Sequence, residues 1–146
     1  MAKGSKKART SAARLASVQA VYQMVSNQQK ASTVIEEYLI HRSGMKIDGD
    51  EMIPPDPALF NSIVKGIEDR KSDLFPMVQE RLNGREVEPL LFGIILCGAY
   101  EILVHDDIDV PIIISDYIHV TQAFYAGNEI KIINAVLDDI AKLIRK

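Results

Sequence analysis

Residues Pro89–Val104 read PLLFGIILCGAYEILV, and this run decides the fold. Its single charge is Glu101, and its apolar side chains fall on every side of a helical wheel rather than on one stripe. Pro89, after Glu88, suits the first position of a helix. A helix that is apolar all round is buried at the centre of its fold. The run is too short for a membrane span, which takes ~20 apolar residues. Whatever surrounds it must be amphipathic, and the periodicity of the flanking segments says which kind of element they are.

Downstream, Asp106-Asp107-Ile108-Asp109 is a polar connection and Pro111 opens the next helix. Tyr125-Ala126-Gly127-Asn128 breaks the chain again. The last segment sets Ile133, Val136, Leu137, Ile140 and Ile144 on one helical stripe, with Lys142, Arg145 and Lys146 at the end where cations favour the helix dipole.

Upstream, Asn83-Gly84 ends a long segment that Asp56 caps and Pro57 opens, with Phe60, Ile63, Val64 and Ile67 facing inward. Pro76 should kink or divide it. Residues 44–56, GMKIDGDEMIPPD, contain two glycines and two prolines without a period and read as an exposed loop. Thr33 and Glu36 have capping-box spacing and open a helix that stops near Gly44. In the first segment Leu15, Val18, Tyr22 and Val25 form one stripe with Val21 beside it, a core-facing pattern. Thr10 or Ser11 can cap that helix, which makes residues 1–9 a mobile basic leader. The reading is an all-α bundle of six to seven helices with no clear strand, in one domain spanning 1–146.

The charge is unevenly spread. The 146 residues carry a formal net charge of -3, yet the only charged residues before Glu36 are Lys3, Lys6, Lys7, Arg9, Arg14 and Lys30. That leaves 11 basic against 20 acidic residues for the rest, or -9. A basic arm on an acidic body attracts polyanions at one place only, although a solvated tail has the same composition. The lone cysteine, Cys97, cannot form an intramolecular disulfide and suits a reducing compartment. The N-terminus lacks the apolar core of a secretory signal, so a cytoplasmic location is expected.

Chemistry finds little support. His41, His105, His119 and Cys97 lie on separate segments without metal-ligand spacing, and the aspartates at 106, 107 and 109 lack the glycine and glutamate of a calcium loop. No metal or cofactor is expected. Asp116 and His119 lie one helical turn apart, but no serine or cysteine stands in a nucleophile turn, and no glycine-rich phosphate loop is present. The expectation is a protein that is not an enzyme. Single-stranded RNA binding asks only for cations that track phosphates and exposed rings or amides that hold bases. Lys3, Lys6, Lys7, Arg9 and Arg14 can supply the first; Phe124, Tyr125 and Asn128 are candidates for the second, with Lys131 following them and core packing the competing reading of the two rings.

Several stretches in order resemble one family, the NusB transcription antitermination factors. Val18-Gln19-Ala20-Val21-Tyr22 is similar to the Val/Leu-Gln-Ala-Leu-Tyr of its first helix, and Phe60–Gly66 to its third-helix pattern. Gly98-Ala99-Tyr100-Glu101-Ile102-Leu103 looks like its Tyr-Glu-Leu helix. Asp109-Val110-Pro111 and Ile114-Ser115-Asp116-Tyr117 resemble its Asp-Ile-Pro and Ile-Asn/Ser-Glu pattern, in the form of alphaproteobacterial members. Lys131 to Asp138 resembles Lys-Phe-Val-Asn-Gly-Val-Leu-Asp.

The resemblance implies two packed helical subdomains without catalysis. It implies binding to the boxA element of ribosomal RNA transcripts together with a small-subunit ribosomal protein that acts as NusE. It further implies read-through of terminators by an RNA polymerase elongation complex carrying the other Nus factors. The family's arginine-rich box reads Thr10-Ser11-Ala12-Ala13-Arg14 here, so only Arg14 carries over directly, with Lys6, Lys7 and Arg9 just upstream. Lys131 matches the family lysine, and Asn128 lies in the loop before it. Two other readings remain open at this stage: an accessory relative of the NusB-like domain of ribosomal RNA methyltransferases, and a homodimeric helical scaffold.

Overall fold

The computed structural model describes residues 5–42, 46–47, 50–51 and 55–145. Among these, seven α-helices follow one another: α1 (Lys6–Asn27), α2 (Ala31–Arg42), α3 (Pro57–Asp69), α4 (Lys71–Leu82), α5 (Pro89–Val104), α6 (Val110–Gln122) and α7 (Asn128–Ile144). Between α2 and α3 lies a two-residue antiparallel ladder of β1 (Lys46–Ile47) with β2 (Asp50–Glu51), where the sequence shows no period. The rest of that expected loop, apart from residues 55 and 56, lies outside the described residues.

The first three helices pack on one another, as do α5, α6 and α7, with α4 against α5 and α7. α5 runs through the centre, in contact with α1, α3, α4, α6 and α7. From Gly93 to Ile102 every residue of α5 is buried, as an all-round apolar helix requires. The α7 stripe is buried at Ile133, Val136, Leu137 and Ile140.

Boundaries follow the side chains that satisfy free helix ends. Asp56 accepts from Ala58 and Leu59 at 3.0 and 3.2 Å and starts α3 with Pro57, as read from the sequence. α1 starts earlier than expected. Ser5 caps it by accepting from Ala8 at 3.0 Å, whereas Thr10 bonds back to the carbonyl of Lys6 at 2.9 Å. Lys6 to Arg9 are therefore helical and not a mobile leader; Lys3 lies outside the described residues.

α2 starts at Ala31, ahead of the capping box, because Glu68 of α3 accepts from the Ala31 N–H at 2.6 Å and does the capping from a distance. The long segment divides at Arg70 rather than at Pro76, which lies inside α4. Pro76 leaves the Ser72 carbonyl without its helical donor. Both residues are exposed, so water can take that place and the helix continues.

The stripe on α1 is rotated from its expected place. Ala13, Arg14, Ala16, Ser17, Val18, Ala20, Val21 and Met24 are buried, while Tyr22 is 42% exposed. Small residues let α1 approach α5 closely: a Cβ placed on Gly93 would stand 3.7 Å from the backbone nitrogen of Tyr22. At that separation no large ring fits between the helices, so the Tyr22 side chain turns outward.

Candidate nucleic-acid interface

Lys6 and Lys7 are exposed on the first turn of α1, and that turn holds no acidic residue. A helix N-terminus already carries partial positive charge, so two lysines there sharpen a positive potential that only an anion relieves. Arg9 is half-buried; its Nε has no protein partner, and its carbonyl accepts from the Asp56 N–H at 3.1 Å.

Arg14 is placed otherwise than the RNA reading requires. It is 3% exposed. Its Nε and one terminal nitrogen donate to the two oxygens of Glu101, both at 2.8 Å, and the other terminal nitrogen donates to Asp116 at 2.6 Å. All three guanidinium nitrogens are thus occupied inside the protein. Arg14 is a structural ion pair, because two carboxylates of the interior claim it first.

Glu101 sits at the middle of this network. Tyr117 donates to one of its oxygens and His105 Nδ1 lies 3.1 Å from the other. Burial by itself raises the Glu101 carboxyl. The bonds from Arg14, His105 and Tyr117, with the charge of Arg14, more than offset this and bring it down to about 2. Burial, and then the Glu101 charge, push the Tyr117 phenol well up. Asp116, one turn from His119 on α6, takes Arg14 and Ser11 as its partners, and His119 is exposed.

A groove of about 600 Å³ runs between α1 and α6. Lys7, Ser11 and Leu15 form one side, and Ile112, Asp116, His119 and Ala123 the other. Lys7 and Ala123 both line it, and Ala123 adjoins Phe124, which is 37% exposed. Tyr125 is only half-exposed, and its phenol is raised by burial and then by the neighbouring Glu88. Asn128 and Lys131 are exposed on the first turn of α7.

The structure thus sets Lys7 in one groove with Ala123, the neighbour of Phe124, and exposes Lys6 on the same turn as Lys7. It withdraws Arg14, and it adds Tyr22, a ring that the stripe on α1 assigns to the core. The alternation of small residues at 13, 16, 17 and 20 is the signal that could have turned Tyr22 outward. Among the described residues no group of three or more His, Cys, Asp or Glu could hold a metal, and no helix is long and apolar enough to cross a membrane.

A bundle of helices packed round α5, with a first helix that carries lysines on its exposed N-terminal turn, defines the class of all-α proteins. Residues 11–142 match the family model described as the NusB family, and the chain belongs to that family. It is 38% identical over 138 residues to the transcription antitermination protein NusB of Agrobacterium fabrum, covering 92% of this chain and 84% of that one. It is 37% identical to the protein of the same name from Sinorhizobium medicae, covering 92% and 86%. In structure it is similar to NusB of T. maritima, with a TM-score of 0.74 over 97% of this chain and 93% of that one, at 18% identity.

Proposed function

We propose that this NusB-family protein acts in transcription antitermination as a cytoplasmic, non-catalytic RNA-binding factor. It holds single-stranded boxA RNA of ribosomal RNA transcripts jointly with a small-subunit ribosomal protein acting as NusE. The pair then joins the RNA polymerase elongation complex with the other Nus factors. The observation that carries the RNA reading is the exposure of Lys6 and Lys7 on the N-terminal turn of α1, with Lys7 lining a groove whose Ala123 adjoins the exposed Phe124. Phosphates are drawn to the two lysines at the helix N-terminus, and bases stack on the exposed rings of Phe124 and Tyr22. Arg9, Asn128 and Lys131 are the further candidates for RNA contact, with Lys3 outside the described residues.

The test is fluorescence anisotropy of a boxA-type RNA against a scrambled RNA across a salt series, with and without the ribosomal partner. Preferential binding that tightens with the partner supports the reading. Equal binding of both RNAs with the partner present, or none, removes it in favour of a helical scaffold. Light scattering then reports whether that scaffold is a homodimer.

A further inference from the structure

We propose that the groove between α1 and α6 seats one guanine of the bound single strand, with the Asp116 carboxylate as the acceptor for its Watson–Crick edge. This rests on the RNA-binding reading above.

The groove walls and floor differ in chemistry. Leu15, Ile112, Val120 and Ala123 line it with apolar surface suited to the faces of a planar base. Asp116 is partly exposed to the same groove, with its side chain 18% accessible. A carboxylate at the floor repels phosphate, so a strand entering here must turn its bases inward and leave its backbone at the rim. Lys7 stands at that rim, and Lys6 is exposed on the same helical turn.

Asp116 retains capacity to accept. Its Oδ2 takes the strong bond from Arg14 at 2.6 Å, while Ser11 contributes only long contacts of 3.4 and 3.5 Å to the two oxygens. An ionised carboxylate offers about four lone-pair sites, so Oδ1 is open to a stronger donor and Oδ2 to a second one. The bond from the Arg14 guanidinium fixes the carboxylate in orientation.

The identity of the base follows from matching donors to those two oxygens. Guanine places N1–H and the N2 amino group side by side, two donors with no acceptor between them. Adenine and cytosine each set one amino group beside a ring nitrogen that would face a carboxylate oxygen, and uracil flanks its single N3–H with two carbonyls. Only guanine meets both oxygens without a repulsive contact.

The experiment measures anisotropy of a boxA-type RNA in which each guanine is replaced in turn by inosine, which keeps N1–H and lacks the amino group. The proteins are the full chain, Asp116→Asn, Ile112→Glu and the double variant Lys6→Ala/Lys7→Ala, all with the ribosomal partner present. One inosine position should weaken binding to the unmodified protein about tenfold, the scale of a good base-edge contact. The same substitution should make no difference to Asp116→Asn. Removing a charge beside Arg14 can lower the melt of that variant, so Ile112→Glu provides the independent arm. Ile112 is 55% exposed, and its replacement should abolish the guanine preference while leaving the melt unchanged.

Binding of every inosine RNA as tightly as the parent, or an inosine penalty undiminished in both groove variants, overturns the proposal. If that happens while Lys6→Ala/Lys7→Ala still weakens binding, the RNA reading stands and only the guanine slot falls. No binding of RNA by the unmodified protein removes both.

Discussion

Arg14 of α1 and Glu101 of α5 meet through two hydrogen bonds of 2.8 Å between side chains that are 3% and 0% exposed. A further bond of 2.6 Å from Arg14 to Asp116 ties α6 to the same point. The network joins the first helix to the centre of the fold, and it takes the one arginine at the position of the family's basic box away from the surface.

Removing one partner of this pair leaves a buried charge uncompensated. Arg14→Ala and Glu101→Gln should each destabilise the protein by about 3–5 kcal/mol. The double variant Arg14→Met/Glu101→Leu should lose less than the two single losses added together. Urea melts of the three variants check both statements.

The acid limb of stability follows from Glu101, which lies at about 2 in the folded protein against an ordinary value of 4.5. A carboxyl held low by folding contributes its stability in full above its unfolded value. That contribution falls away as pH drops from about 4.5 through about 2. Melts over this range should show a declining midpoint for the natural protein and a shallower decline for Glu101→Gln, which has no proton to take up at this position.

Gly66 of α3 lies under the ring of Tyr100, and a Cβ there would stand 2.2 Å from the phenol oxygen. Tyr100 is 5% exposed and its hydroxyl lies 3.3 Å from Ser62, so the ring has little freedom to yield. Gly66→Ala should cost about 1–3 kcal/mol. In a Tyr100→Ala background the same change should cost less, and a thermodynamic cycle of the two sites measures the difference.

Gln28 ends α1 in the left-handed region at φ 54 and ψ 42, and it is exposed. A side chain is strained there and glycine is not. Gln28→Gly should therefore raise stability, by up to about 1 kcal/mol, as a small upward shift of the melting midpoint.

Lys6 and Lys7 can be removed without touching the interior. Lys6→Ala/Lys7→Ala should weaken RNA binding and reduce its salt slope by about 1.4, at about 0.7 per lost phosphate contact on a single strand. Its melt should stay unchanged, in contrast to Arg14→Ala. An unchanged salt slope would place the RNA on another face.

Much of this was legible in the chain itself. The run from Pro89 to Val104 carries apolar residues on all sides, and such a helix has only the centre to occupy. The α3 start at Asp56-Pro57 and the α7 stripe were equally readable, because caps and periodicity are local properties. Errors arose where a distant group acts on a local choice. Glu68 caps α2 from another helix, so the capping box at Thr33 and Glu36 does not set its start.

The sequence by itself determined a helical bundle built round one apolar helix, a concentration of positive charge at its N-terminal end, and membership of the family whose motifs it carries in order. These depend on composition, spacing and order along the chain. Which cations face solvent was decided only by the tertiary structure. Arg14 and Lys7 lie on the same short basic stretch, and nothing in their residue types separates them. They part because two carboxylates far along the chain, Glu101 and Asp116, converge on the side of α1 that its small residues draw against α5. A guanidinium in that interior is stable only when paired, whereas Lys7, two helical turns nearer the exposed start of α1, stays in water and remains free to meet a phosphate.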